Sequence, residues 1–322
     1  MEIVSGLDSA GGYIRTVVFA DKRLIFRTIS FTGESRTVRE RATSLGPPEP
    51  GIVDYDWSKS GDALLICSGT LSYWSGKGGM VRICDYGANT DVVFPATGGR
   101  TRVFWLSEQE ILSVVRSWGD DELLWVQKAN RSTREPERLY ETRDTDILPT
   151  CTLSADRRYL LFLAEVLEDG FHQPELRVLD LETNTVTVLL RGSKRDYIED
   201  VCWSPDGSHV AYVYGTWLGR TLKDGTLVIS TSLNVMSVAD KKPVTVLPFP
   251  EDDAATWAMK YLGSERLVYV RDSERWYSPD RTLISVVNLK TRKIERTLKG
   301  NIYTEIWPAA DGKTLVLDDQ GP

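Results

Sequence analysis

The chain has 322 residues, a formal net charge of −7 and a pI near 5.1. An acidic chain without a basic block or stripe excludes a nucleic-acid partner held mainly by phosphate contacts. No run of about 18 apolar residues could span a membrane, and the first residues lack the basic start and apolar core of a secretory signal. We therefore expect a cytoplasmic protein with no membrane span, which would be periplasmic or secreted if a leader has been removed.

The four cysteines are predicted to be free thiols in the core. Cys67, Cys84, Cys151 and Cys202 lie in apolar, strand-like runs without Cys-x-x-Cys spacing, which is unlike a zinc site or a disulfide framework. Cys67 and Cys84 are expected on neighbouring strands. A bridge between these two is therefore an alternative, although cross-strand geometry usually strains a disulfide.

A turn motif recurs six times along the chain, with starts 48, 48, 50, 57 and 48 residues apart. In the clearest copy, Pro205 presets φ for a type I turn, Asp206 can hydrogen-bond its own backbone, and Gly207 tolerates the left-handed conformation. The six copies are Trp57-Ser58-Lys59-Ser60-Gly61, Trp105-Leu106-Ser107-Glu108-Gln109, Leu153-Ser154-Ala155-Asp156-Arg157, Trp203-Ser204-Pro205-Asp206-Gly207, Lys260-Tyr261-Leu262-Gly263-Ser264 and Pro308-Ala309-Ala310-Asp311-Gly312.

Each turn precedes an apolar run that is typical of a buried strand. The runs are 63–67, 111–115, 159–164, 210–214, 267–270 and 314–317. Most repeats then carry a second strand pair, as at 176–180 and 186–190 around the polar turn 182–185. Four strands in a repeat of about 48 residues predict a propeller blade.

The two ends of the chain are predicted to share one blade. The last repeat has only two strands, while residues 13–19 and 24–29, around a turn at 20–23, match the third and fourth strands of a blade. Pairing across the termini would close the ring and remove exposed sheet edges. The sequence therefore predicts an all-β, six-bladed propeller in a single domain over 1–322, with 1–11 as a tail, 12–32 completing the last blade and 33–52 as a connector.

The segment Trp203-Ser204-Pro205-Asp206-Gly207, followed by Val210-Ala211-Tyr212, resembles the repeat of TolB-like (WD-repeat-like) β-propellers. The resemblance covers residues 12–322 as six copies. Two copies, at Trp105 and Lys260, lack the Pro-Asp-Gly turn, and no leader matches the periplasmic location of the name-giving family. The resemblance implies architecture more than function, because such blades occur in scaffolds, in gating domains of peptidases and in a few hydrolases or lyases.

No catalytic signature is visible in the sequence. His172 and His209 are the only histidines, which excludes the multi-histidine metal cluster of propeller lyases. The chain also lacks H-E-x-x-H, G-x-S-x-G and Gly-rich phosphate-loop motifs. We expect no enzyme activity and no cofactor, with a calcium-type axial ion on oxygen ligands as an open alternative.

A ring of charged residues is expected at one mouth of the propeller. In a four-stranded meander, the loop between strands two and three and the connection between blades emerge on the face where each first strand begins. The residues three before each turn motif lie near that mouth: Asp54, Arg102, Thr150, Asp200, Trp257 and Glu305. They could bind a cation, a basic peptide or a polar small molecule, or they could simply cap solvated strand ends. The residues one before each motif (Phe104, Cys202, Met259 and Trp307, but not Asp56) are expected to pack between blades.

Aromatic residues are predicted on the same face, in the loops between strands two and three. They are Tyr73, Trp74, Trp118, Phe171 beside His172, Trp217, Trp276 and Tyr277. Several have Gly, Ser, Asp or Arg neighbours, a composition typical of protein-binding surfaces. The alternative is that these rings fold back over the blades. The segment 214–232, which accounts for the 57-residue spacing, is the best candidate for a contact arm or lid.

The first functional hypothesis is a non-catalytic scaffold that presents an aromatic, mildly acidic face to a protein or peptide. The second is an axial-site hydrolase or small-molecule binder, in which Asp54, Asp200 and Glu305 hold a metal and Arg102 holds an anionic group. The third is the propeller subunit of a peptidase-like assembly. The sequence does not indicate an oligomeric state.

Overall fold

The backbone is built from β-strands throughout the part of the chain that the structure describes. The structure is a computed structural model, and it describes residues 2–7, 13–20, 23–30, 35–42, 52–58, 63–68, 80–85, 92–95, 101–116, 123–142, 150–221, 227–249, 256–272, 282–299, 304–308, 313 and 315–319. The chain divides into two compact units, Met1–Thr145 and Asp146–Pro322. The prediction of one domain over 1–322 stays a prediction.

The described residues of the first unit form three four-stranded antiparallel sheets, each a simple meander. The first sheet comprises β1 (Glu2–Leu7), β2 (Tyr13–Ala20), β3 (Arg23–Ser30) and β4 (Ser35–Ala42). The second comprises β5 (Ile52–Trp57), β6 (Ala63–Ser68), β7 (Met80–Asp85) and β8 (Val92–Pro95). The third comprises β9 (Thr101–Trp105), β10 (Glu110–Arg116), β11 (Leu124–Asn130) and β12 (Pro136–Thr142).

In the second unit, the part of the chain that the structure describes forms three further four-stranded meanders and a two-stranded sheet. The fourth sheet comprises β13 (Cys151–Leu153), β14 (Tyr159–Glu168), β15 (Phe171–Asp180) and β16 (Thr185–Arg191). The fifth comprises β17 (Asp196–Trp203), β18 (His209–Thr221), β19 (Leu227–Ser237) and β20 (Pro243–Pro248). The sixth comprises β21 (Thr256–Tyr261), β22 (Arg266–Asp272), β23 (Thr282–Asn288) and β24 (Lys293–Lys299), and β25 (Thr304–Pro308) pairs with β26 (Leu315–Asp319).

The predicted assignment of residues 13–29 is wrong. Tyr13–Ala20 pairs with Glu2–Leu7 on one edge and with Arg23–Ser30 on the other. It is thus a second strand with both edges occupied, and it cannot also pair with residues 308–317. Residues 1–11, predicted to be a tail, contain the strand Glu2–Leu7. Residues 33–52, predicted to be a connector, contain the strand Ser35–Ala42. Alternation within residues 2–7 and 35–42 is weak, which is why a complete meander was not predicted there. The number of blades and the closure of the ring stay predictions.

The turn motif closes the first hairpin of a sheet through a serine hydroxyl. Ser204 Oγ accepts the N–H of His209 at 2.9 Å and donates to Asp206 Oδ1 at 2.6 Å. The backbone N–H of Gly207, at φ 70°, donates to the carbonyl of Ser204 at 2.9 Å. The copy around Ser154 makes the same set of bonds. The motif is therefore a local fold signal, because side-chain and backbone groups within the six-residue segment 204–209 satisfy one another.

The core lies between consecutive sheets, as the near-continuous apolar runs predicted. Within the second unit, Ala211 and Val213 of β18 pack with Met259 and Tyr269 of the sixth sheet. On the other face of β18, Tyr212 packs with Leu161 of the fourth sheet. A strand buried on both faces has no polar alternation, which explains the sequence pattern.

The tryptophan that opens the motif also links neighbouring sheets by a hydrogen bond. Trp105 Nε1 donates to the carbonyl of Asp56 at 3.1 Å, and Trp203 Nε1 donates to the carbonyl of Thr152 at 3.2 Å. Asp56 Oδ2 also accepts the backbone N–H of Trp105 at 2.7 Å. This bond explains why Asp56 departs from the apolar residues at equivalent positions, of which Cys202 and Met259 are buried as predicted.

The cysteines agree with the predicted free thiols where their side chains are described. Cys67, Cys151 and Cys202 are buried and form no disulfide. The alternative of a bridge between Cys67 and Cys84 is wrong, since Cys67 pairs with Val81 in the sheet register and is in no disulfide.

Candidate functional site

The predicted axial residues all lie on the first strands of their sheets or just before them. Asp54 is in β5, Arg102 in β9, Asp200 in β17, Trp257 in β21 and Glu305 in β25. The side chains of Asp54, Trp257 and Glu305 lie outside the described residues, so the axial ring itself stays a prediction. Among the side chains that are described, no three His, Cys, Asp or Glu residues form a group that could hold a metal ion.

The carboxylate of Asp200 accepts a hydrogen bond from its own strand, whereas that of the preceding residue, Glu199, accepts one from the next sheet. Asp200 Oδ1 accepts the N–H of Val201 at 2.9 Å. Glu199 Oε2 accepts the N–H of Thr256 at 2.9 Å, which joins β17 to β21. The pairing of β17 with β18 is irregular between Ile198 and Val201. This bulge turns Glu199 toward the next sheet, a detail that the residue pattern does not reveal.

Phe171 and Trp217 are the predicted loop aromatics whose side chains the structure describes. Phe171 is 50% exposed and Trp217 is 38% exposed, so both side chains are partly accessible to solvent. The other predicted aromatics, Tyr73, Trp74, Trp118, Trp276 and Tyr277, lie outside the described side chains.

Phe171 is placed at the tip of a long, regular hairpin. The strands β14 and β15 pair along their full length, from Tyr159 with Asp180 to Glu168 with Phe171. Asp169 and Gly170 both have positive φ, 53° and 78°, which defines a two-residue type I′ turn. The Asp-Gly sequence favours this turn, so the hairpin continues straight to its tip and holds Phe171 there.

Trp217 lies on an equally extended hairpin in the next sheet. The predicted insertion at 214–232 is not a separate loop over its described residues, since β18 continues to Thr221 and β19 starts at Leu227. Gly215 allows this extension, because a Cβ added there would lie 2.1 Å from Cζ of Tyr197, its partner across the strand pair. The ring of Tyr197 therefore lies directly over the Gly215 backbone, just before Trp217.

A short connection, residues 192–196, is bonded to both hairpins. Gly192 N–H donates to the Pro174 carbonyl of the first hairpin at 2.8 Å. Trp217 N–H donates to the Arg195 carbonyl at 2.8 Å, and Thr216 Oγ1 donates to Asp196 Oδ1 at 2.7 Å. Within this unit, the connection between sheets and the hairpins between second and third strands therefore share one face, as the topology predicted.

Asp196 is the anchor of this connection. Its Oδ2 accepts the N–H of Ser193 at 2.6 Å. Burial opposes ionisation of the carboxyl group, but hydrogen bonds from the Tyr214 and Thr216 hydroxyls and from Ser193 outweigh it and lower the pKa of Asp196. The carboxylate is therefore charged at neutral pH and acts as a multiple acceptor that keeps the connection in place.

Two cations of the connection lie against the two exposed rings. Lys194 Nζ is 4.4 Å from the centroid of Phe171, and Arg195 Cζ is 6.0 Å from the centroid of Trp217. Each such contact contributes about 0.5–1 kcal/mol at an exposed site. We call Phe171, Lys194, Arg195 and Trp217 the aromatic–cation surface. It spans two consecutive sheets of the second unit.

Sequence reasoning found the two rings but not the two cations. Lys194 and Arg195 lie in the connection between two sheets. In such connections the sequence analysis predicted only the axial residues, three positions before each turn motif. The signal that could have found them is the segment Gly192-Ser193-Lys194-Arg195-Asp196, in which a glycine and an acceptor bracket two exposed cations. The face was predicted to be mildly acidic, whereas the charges that contact these two rings are positive.

Comparison with known proteins supports the fold. No protein-family model and no curated protein sequence matches the chain. Among solved structures, TolB from Acinetobacter baumannii is 16% identical with a TM-score of 0.52, over 88% of this chain and 62% of that one. The fold is that of TolB-like β-propellers.

Two further similar structures show how widely this fold is used. A complex of KlAtg21 with the coiled-coil of AgAtg16 matches with 15% identity and a TM-score of 0.64, over 97% of this chain and 89% of that one. The tricorn protease matches with 15% identity and a TM-score of 0.61, over 99% of this chain and 33% of that one. This chain thus spans less than two thirds of the length of TolB and one third of the tricorn protease. In the described part of the chain, no helix is long and apolar enough to cross a membrane.

Proposed function

We propose that the chain is a non-catalytic β-propeller scaffold that binds a protein or peptide partner through its aromatic–cation surface. One observation carries the proposal: Phe171 and Trp217 are 50% and 38% exposed although the backbone beside each is fixed by hydrogen bonds. Leaving such rings in water has a cost, and burying them against a partner is favourable because each offers a large apolar area.

The geometry lowers the cost of binding. The connection 192–196 is held by Pro174, Thr216 and Trp217, so little conformational freedom remains to be lost when a partner arrives. Preorganised aromatic and arginine side chains with satisfied neighbours are typical of the residues that dominate protein interfaces. The solved complex of KlAtg21 with a coiled-coil supports the proposal by showing that a similar chain has a protein partner.

The experiment is an affinity purification from native cells with the wild-type chain and a Phe171→Ala/Trp217→Ala variant. The expected result is that a specific protein recovered with wild type is lost with the variant. Truncating two anchor residues should weaken binding by about 2 kcal/mol or more, about thirtyfold in Kd, which titration calorimetry with the purified partner would measure.

A matched control is a Val244→Ala/Ile294→Ala variant, since these two side chains are 44% and 46% exposed on other strands of the same unit. Circular dichroism must show that both variants are folded. The proposal fails if the Phe171→Ala/Trp217→Ala variant retains the partner, or if the control loses it to the same extent.

A second candidate function is the propeller subunit of a peptidase-like assembly, which the similarity to the tricorn protease favours. The same purification separates the two. Recovery of a peptidase through the aromatic–cation surface would support the assembly, and recovery of a partner without peptidase activity would support the scaffold alone.

A further inference from the structure

The ion pairs of the first hairpin do not include the two cations of the aromatic–cation surface. Glu175 is fully buried, with Oε2 2.7 Å from Arg177 Nε and Oε1 2.5 Å from Arg191 Nε. Glu168 Oε2 lies 4.0 Å from Arg191 Nη1. These ion pairs join Glu168 and Glu175 to Arg177 and Arg191. Lys194 and Arg195 take no part in them.

Lys194 and Arg195 differ from these arginines in what they contact. Over the described residues, neither has a carboxylate at ion-pair distance, and the side chain of each contacts an aromatic ring. A cation–π contact leaves the N–H donors that point away from the ring available, out of the three of an ammonium and the five of a guanidinium. Two cations with such donors, each beside an exposed ring, have the chemistry to bind an anion attached to an apolar group.

The backbone around Arg195 keeps this site open. Gly219 has a φ of 74°, and a Cβ added to it would lie 4.0 Å from Arg195 Nη1. The guanidinium therefore lies near the Trp217 ring and within van der Waals distance of a position that carries no side chain. A flat, accessible guanidinium can form the paired hydrogen bonds that carboxylates accept.

We infer that the partner is recognised through an acidic peptide segment that carries an apolar side chain. This rests on the proposed function. The carboxylates of the segment bind Lys194 and Arg195, and the apolar side chain packs against Phe171 or Trp217. The net charge of −7 favours a short acidic segment over a nucleic acid as the ligand. A long polyanion is repelled by the charge of the whole molecule, whereas salt screens a short peptide from charges that lie far from its binding site.

The test uses a Lys194→Glu/Arg195→Glu variant with a matched control, Lys290→Glu/Lys293→Glu. The control changes net charge equally at two exposed lysines of another hairpin in the same unit. Fluorescence anisotropy is measured with three labelled probes: a short peptide of alternating Glu and Leu, the same peptide with Lys in place of Glu, and an oligothymidine of equal length.

The expected result is that wild type and the control bind the Glu-Leu peptide, with an affinity that falls as salt is raised. The Lys194→Glu/Arg195→Glu variant should bind it about tenfold more weakly or worse. Failure of wild type to bind this peptide, equal binding of the Lys-Leu peptide, or tighter binding of oligothymidine would each overturn the inference. If the charge-reversal variant still captures the cellular partner while Phe171→Ala/Trp217→Ala does not, the acidic segment is wrong and the proposed binding function stands.

Discussion

At the scale of single residues, the site depends on Gly215 and Asp196, whose positions are fixed by the residues that they contact. Gly215 lies under the ring of Tyr197, and Asp196 accepts hydrogen bonds from Ser193, Tyr214 and Thr216. Neither Phe171 nor Trp217 is unusual as a residue. What distinguishes them is that fixed neighbours hold them in solvent.

We expect Gly215→Ala to destabilise the protein and to weaken partner binding. The added methyl group would overlap the Tyr197 ring, so the ring or the strand must shift, at a cost of about 1–3 kcal/mol in the free energy of unfolding. Urea denaturation measures the cost. In a Tyr197→Ala background the same substitution should cost much less, because the overlapping ring is gone. Equal costs in the two backgrounds would contradict the steric account.

Asp206 is expected to make the stability of the repeat turn depend on pH. The hydrogen bond from the Ser204 hydroxyl, followed by those from Ser208, lowers the pKa of Asp206 from 3.8 to about 2. A lowered pKa in the folded state gives stability that is full above 3.8 and is lost as pH falls toward 2. The melting temperature of wild type should therefore exceed that of Asp206→Asn by a constant amount at neutral pH. The difference should shrink below pH 3.8, and a difference that stays constant would contradict this.

At the scale of elements, the hairpins and the connection between them build the site. The strands after each turn were predicted correctly. The reason is that the turn forms from residues close together in sequence: the hydroxyls of Ser154 and Ser204 accept backbone N–H groups five residues later. The extent of the hairpins was not predicted. Residues 216–221 look like a polar loop, yet they continue β18, since pairing with β19 satisfies their backbone whatever their polarity.

Asp196→Ala should loosen the connection without removing any member of the aromatic–cation surface. The substitution removes the acceptor for Ser193 N–H and Thr216 Oγ1, so the amides of 193–196 should exchange faster with deuterium. Partner affinity should fall although Phe171 and Trp217 are unchanged. Asp240→Ala, at an exposed turn of the same sheet, serves as the control. Unchanged exchange at 193–196 would show that Asp196 does not hold the connection.

At the scale of the whole molecule, the repeat spacing predicted the class of fold, and the solved structures of the TolB-like type agree with it. The assignment of the chain ends failed for a physical reason. Tyr13–Ala20 is apolar enough for any inner strand, and only its pairing with Glu2–Leu7 defines it as a second strand. This pairing was missed because Glu2–Leu7 alternates only weakly and carries no copy of the turn motif, so the repeat spacing does not mark it as a strand.

The site could be predicted only in part for the same reason. The rings of Phe171 and Trp217 were identifiable from their position in the repeat. Their proximity to Lys194 and Arg195 arises from two hairpins and a connection meeting in space. The segment 192–196 could have indicated the two cations, but no single segment indicates that they lie beside the two rings.

Hydroxyl-radical footprinting of the complex tests the central claim most directly. The oxidation rates of Phe171 and Trp217 would be compared with and without the purified partner, with Val244 and Ile294 as exposed references elsewhere in the unit. The account predicts strong protection of both rings and little change at the references. Undiminished oxidation of both rings in a saturated complex would contradict it.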